Sequence, residues 1–88
     1  MTTVSFGNGI KPYFTPCYRA HMLGVGFDLW DLATVQSMWQ AIHDRVSLPA
    51  NDPGRMPRAG CPEGVWDDRT RAQFLRDFQG WKDGGFLP

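Results

Sequence analysis

The sequence predicts an all-α domain of three main helices, with a long Pro/Gly-rich loop before the last of them. Three observations carry this. Leu32, Val35, Trp39, Ile42 and Val46 recur at spacings of three and four, the period of one face of an α-helix. Phe74, Leu75, Phe78 and Trp81 form a second apolar stripe near the C-terminus. Start signals stand ahead of each helical segment (Thr15-Pro16, Asp31, Asp67), and breakers come after each one (Gly24-Val25-Gly26, Pro49, Gly84-Gly85).

From the N-terminus, Met1 to Gly9 is polar and without periodicity, and reads as a loosely held arm ahead of a single helical domain over residues 10–88. Ile10-Lys11-Pro12-Tyr13-Phe14 combines large apolar side chains with a proline, which predicts a tight turn whose rings pack onto the core. Thr15 is the N-cap of the first helix, and Pro16 fits its first position because the missing N–H would have had no partner there. This helix runs to Leu23 and is too short to be stable alone, so Tyr18, Met22 and Cys17 must hold it by packing. The central helix starts from Asp31, whose carboxylate accepts free N–H groups of the first turn, and continues to Val46 or Ser47. Pro49 stops it by disfavouring helical geometry at Leu48.

Leu48 to Val65 is the long loop, and a segment of that length needs pins; Met56, Cys61 and Val65 are the obvious ones. Asp67 caps the last helix, with Trp66 stapling its first turns. Gly80 inside that helix costs about 1 kcal/mol relative to alanine, which points to a backbone or a ring passing close by. After Gly84-Gly85 the tail Phe86-Leu87-Pro88 tucks back onto the core.

At 88 residues the chain holds one small core, and its 14% aromatic content, with four tryptophans, means that large rings fill it. Nine basic and nine acidic side chains give a formal net charge of zero. Arg69, Arg71 and Arg76 are interleaved with Asp67, Asp68 and Asp77, so the clustered cations that a nucleic-acid surface requires are missing. No apolar run is long enough to span a bilayer. The first seven residues lack the basic and apolar regions of a secretory signal, which predicts a cytoplasmic protein. In that compartment Cys17 and Cys61 are expected as free thiols rather than as a disulfide.

Candidate chemistry is sparse. Cys17 and His21 stand four residues apart on one helix face, and with His43 and Cys61 they make a two-Cys, two-His set of the right number for zinc or iron. The tight paired spacing of a zinc module is absent. Cys17 or Cys61 as a nucleophile would need a base, which His21 could supply to Cys17, but no oxyanion site or orienting group is visible. Asp28, Asp31, Asp67 and Asp68 are read as turn and cap residues and not as an acid–base pair.

A longer pattern connects these pieces. Ile10, Lys11, Pro12 and Phe14, then Arg19 and Met22, then Phe27-Asp28-Leu29-Trp30, then Met56-Pro57, then Phe78, Trp81 and Gly85 stand in an order that resembles small bacterial cytochrome c domains. The order is more similar still to a haem-less group with the pattern I-R-P-x-F…R-x-x-M…F-D-L-W…M-P…F-x-x-W-x-x-x-G. The resemblance covers Ile10 to Phe86 and implies a cytochrome-c-like layout. Covalent c-type haem attachment uses Cys-x-x-Cys-His, whereas Cys17-Tyr18-Arg19-Ala20-His21 stands at that place, with one thiol and a shifted spacing. The resemblance therefore implies a non-catalytic accessory or docking module without a cofactor, serving a larger protein such as an oxidoreductase. Its contact surface would comprise Met56, Pro57, Arg58, Cys61 and Trp66, and Trp30 and Trp39 would fill the space of a haem. The alternative implied by the same layout is a haem-binding electron carrier with His21 and Met56 as axial ligands.

Overall fold

The computed structural model describes residues 4–48, 52, 56 and 66–88. In chain order these form a π-helical turn Phe6–Ile10, a 3₁₀ turn Lys11–Tyr13, and the helices α1 (Pro16–Leu23), α2 (Leu32–Ser37), α3 (Trp39–Val46) and α4 (Asp68–Asp83). The protein is all-α, with no strand among the described residues. Each expected N-cap is made: Tyr18 N–H donates to Thr15 Oγ1 at 3.2 Å, Thr34 N–H to Asp31 Oδ2 at 3.1 Å, and Thr70 N–H to Asp67 Oδ1 at 2.7 Å. These carboxylates and hydroxyl satisfy amides that the helix cannot pair internally.

The central helix is not continuous. It breaks at Met38, with φ −103° and ψ 12°, into α2 and α3. The Ser37 hydroxyl donates to the Thr34 carbonyl at 2.9 Å, the oxygen that Met38 N–H also reaches at 3.1 Å. A side chain thus competes for a helical acceptor where the break falls. The apolar stripe runs on through it, with Val35, Trp39, Ile42 and Val46 all buried.

The segment from Val4 onward is likewise no loose arm. Phe6 is buried with its ring 5.5 Å from Trp81, and its N–H donates to the Leu87 carbonyl at 2.8 Å. Val4 sits between two glycines: a Cβ at Gly9 would lie 2.6 Å from Val4 Cγ1, and one at Gly80 would lie 3.4 Å from Val4 Cγ2. At Gly80 the neighbour is thus a valine methyl group at ordinary contact distance, and not the backbone or ring expected. A single π-wound turn carries no 3.6-residue period, so its buried positions leave no helical pattern in the sequence.

Two groups of rings make the core. On α4, Phe74 and Phe78 stack at 4.8 Å and Phe78 and Trp81 at 5.8 Å. Trp39 of α3 lies flat on Phe78 at 5.1 Å and donates its indole N–H to the Phe78 carbonyl at 3.0 Å. Near the start of α4, Trp66 packs on Phe74 at 4.8 Å, Tyr13 at 5.7 Å and Tyr18 at 6.0 Å, and so staples the helix to α1 and the 3₁₀ turn. After α4, Gly85 takes φ 92° and reverses the chain. The Phe86 ring then meets Trp81 edge-on at 4.8 Å, and the Leu87 carbonyl accepts both the Trp81 indole N–H at 2.8 Å and the Phe6 amide. The tail tucks back as expected.

Met56 acts as a pin: it is buried, and its N–H donates to the Arg45 carbonyl at 3.2 Å. Cys61 and Val65, the other expected pins, lie outside the described residues. The free-thiol expectation is corrected, because Cys17 is disulfide-bonded. Such a bond supplies the covalent staple that a core of this size needs. No helix among the described residues is long and apolar enough to cross a membrane.

Candidate functional site

The site grows from the turn after α1. Arg19, in the middle of that helix, reaches Asp28 with two donors, Nε to Oδ1 at 2.8 Å and Nη2 to Oδ2 at 3.1 Å. Asp28 Oδ1 also accepts the Trp30 backbone N–H at 2.9 Å, closing the local turn that aspartate favours. The Arg19 fork, and after it the Trp30 N–H, holds the Asp28 carboxyl down at about 2. With its backbone fixed in this way, Trp30 folds back and donates its indole N–H to the Phe14 carbonyl at 2.7 Å. The ring is half-buried and is approached by two cations, the Arg19 guanidinium carbon at 4.4 Å and Lys11 Nζ at 5.4 Å from its centroid.

Beside the ring lies an open groove of about 450 Å³, lined by Lys11, Pro12, Thr15, Pro16 and Trp30, with buried Phe14 beneath. Asp28 compensates Arg19, so Lys11 leaves this surface with an excess positive charge. The lining mixes apolar faces with polar groups, namely the Lys11 ammonium, the Thr15 hydroxyl and the backbone of Gly7. Among the described residues, no acid–base pair and no activated nucleophile lines it.

The residues singled out from the sequence are dispersed. His21 is exposed on α1. His43, on α3, stacks on Trp39 at 4.9 Å with its Nδ1 3.9 Å from Asp44 Oδ1, while Lys82 Nζ lies 4.3 Å from the same indole. The Cys17 sulfur, being in a disulfide, is no thiolate ligand or nucleophile. Cys61 lies outside the described residues. Among those that are described, no three His, Cys, Asp or Glu side chains gather as a metal site would need.

Of the two residues expected as haem ligands, His21 is exposed on α1, whereas Met56 is 6% exposed and packed in the core. Trp39 is buried and stacked within the interior, and Trp30 lies at the surface beside the groove, so the two tryptophans do not share one space. Of the expected contact surface, Met56 offers little exposed area and Trp66 is engaged in ring packing, because a core this small uses its large side chains inward. Pro57, Arg58 and Cys61 lie outside the described residues.

Compared with known proteins, the chain matches no family model, no curated protein and no solved structure.

The groove is hidden in the sequence because its residues have local roles that account for them fully. Lys11-Pro12 is a turn and Thr15-Pro16 a helix start; only the return of Trp30 makes them one surface. The usable signal is Arg19 with Asp28, a cation and an anion flanking the Gly24-Val25-Gly26 break ahead of a tryptophan.

Proposed function

We propose that this chain is a non-catalytic docking module, cytochrome-c-like in layout and without haem, that serves a larger protein such as an oxidoreductase through the groove beside Trp30. The observation that carries the reading is the way Trp30 is held. Its indole N–H, its backbone N–H and its ring all have partners, yet it stays half-buried at the edge of an open groove. A half-exposed aromatic surface held in this way loses little conformational freedom on binding, and tryptophan is prominent among residues that anchor interfaces. A lining of prolines, one indole and one ammonium, which offers contact rather than chemistry, supports the same reading.

The test places a photo-crosslinking residue at Pro12 in the full chain, with Gln79 on the exposed side of α4 as control. One identified protein crosslinking from position 12 and not from 79, and binding again when both components are purified, is the expected result. Equal capture at both positions, or turnover of a substrate by the isolated chain, overturns the reading. A Soret band that scales with protein concentration overturns its haem-free part.

A further inference from the structure

Three features of the groove restrict what it accepts. Pro12 and Pro16 have no backbone N–H, so a partner strand cannot be bound there by a ladder of main-chain hydrogen bonds. Recognition must instead come from packing on the pyrrolidine and indole surfaces, the mode that suits an extended segment with a solvated backbone. The polar side chains of the lining can both donate: the exposed Lys11 ammonium, and the Thr15 hydroxyl, whose oxygen accepts Tyr18 N–H at 3.2 Å. The charge is positive, since Arg19 and Lys11 share the single Asp28 carboxylate, which Arg19 engages at 2.8 Å, so two cations face one anion.

We propose that the groove takes an extended acidic segment of another protein, with a carboxylate against Lys11 and its backbone across Trp30 between Pro12 and Pro16. This rests on the docking reading above and adds the chemistry of the partner. A single-stranded nucleic acid is the competing ligand for a cation beside an indole. It is disfavoured because the one ammonium left over after the Arg19–Asp28 pair can neutralise few phosphates, whereas binding of a single strand rests on many such contacts.

The experiment is an NMR titration of the purified full chain with three short peptides alike in length, rich in glutamate, glutamine or lysine. The Trp30 indole and the Lys11 and Thr15 amides report the site. The glutamate peptide is expected to shift these signals and to bind about tenfold more tightly than the glutamine peptide at low ionic strength, with the gap closing as salt rises. Lys11→Glu, at an exposed position whose variant can be checked for an unchanged melting temperature, is expected to reverse the order in favour of the lysine peptide. Several results overturn the proposal: equal affinity for the glutamate and glutamine peptides, an unchanged preference in Lys11→Glu, or no shift at the groove with any peptide. Displacement of the glutamate peptide by a single-stranded oligonucleotide at lower concentration does so too. A partner crosslinked from position 12 through a neutral or basic segment overturns the acidic assignment alone, whereas the absence of any specific crosslink overturns the docking reading itself.

Discussion

Trp81 donates its indole N–H to the Leu87 carbonyl at 2.8 Å, and Trp30 donates its own to the Phe14 carbonyl at 2.7 Å. Their surroundings differ. Trp81 is fully buried and faced by rings, Phe6 at 5.5 Å, Phe78 at 5.8 Å and Phe86 at 4.8 Å. Trp30 is half-buried and faced by the cations of Arg19 and Lys11. Rings around a tryptophan exclude water and join the N-terminal turn, α4 and the tail into one core. Cations around a tryptophan orient it while leaving it wet. One side chain type thus closes the core in one place and, under the function proposed above, offers a binding surface in the other.

Truncation separates the two roles most strongly. Trp81→Ala is expected to remove about 3–5 kcal/mol of stability, as large buried aromatics do, and so to unfold much of the population of a domain this small. Trp30→Ala loses a hydrogen bond and half a ring's burial, about 1–2 kcal/mol, and retains the helical far-UV signal. Urea unfolding followed by circular dichroism compares them. Equal losses would mean that Trp30 is a core residue and that its groove is incidental.

The disulfide provides the next contrast. Native bridges of small domains contribute about 2–5 kcal/mol, and Cys17 lies in α1, the helix that also carries Arg19. In Cys17→Ser, hydrogen exchange is expected to quicken more in Pro16–Leu23 and around Trp30 than in the later turns of Asp68–Asp83, where Phe78 and Trp81 pack on Trp39, Phe6 and Phe86. Uniform quickening would show that the two regions are one cooperative unit.

Legibility in the sequence divides along the same line. Caps and stripes are local, so Thr15, Asp31 and Asp67 and the buried faces of α3 and α4 can be read directly. The seating of Val4 and Phe6 cannot, because Gly80 and Trp81, which receive them, are distant in sequence and a π turn has no period to reveal it. The Ser37 competition at Met38 is a one-residue event that the continuing apolar stripe conceals. Met56 and Trp66 read as a contact surface because large side chains in and beside a Pro-rich loop resemble a display. In a core with few aliphatic residues, those side chains are drawn inward. The sequence thus points to the loop for recognition, while the preorganised aromatic surface lies at the turn after α1.

Acid and alkali should act on different regions. The carboxyl of Asp28 is held down at about 2, first by Arg19 and then by the Trp30 N–H. Its contribution is therefore complete above the ordinary value of 3.8 and is lost as pH falls toward 2. Tyr13 behaves in the opposite sense: burial, with help from its O–H donated to Asp77 at 2.8 Å, pushes the phenol up to about 12. That contribution is complete below pH 10.0 and is lost as pH rises through 12. Carboxyl carbon shifts should give a depressed Asp28 midpoint that returns toward the ordinary value in Arg19→Gln, and the Trp30 indole signal should move with it. An Asp28 midpoint near 3.8 in the unaltered chain would dissolve the clasp as described.

The smallest effect tests the core side of the comparison from within α4. Glycine inside a helix costs about 1 kcal/mol relative to alanine, so Gly80→Ala gains helix propensity provided that the new methyl group is accommodated. It would lie 3.4 Å from Val4 Cγ2, an ordinary contact, and the expected outcome is a stabilisation of about 0.5–1 kcal/mol with the Trp30 indole signal unmoved. Gly9→Ala should have the opposite sign, because its methyl would lie 2.6 Å from Val4 Cγ1 and a β-branched side chain has few rotamers in which to retreat. Thermal melts of the two variants decide whether Val4 is seated. If both substitutions are tolerated alike, the N-terminal segment is the loose arm its composition suggests, and Trp81 keeps its rings without help from Val4.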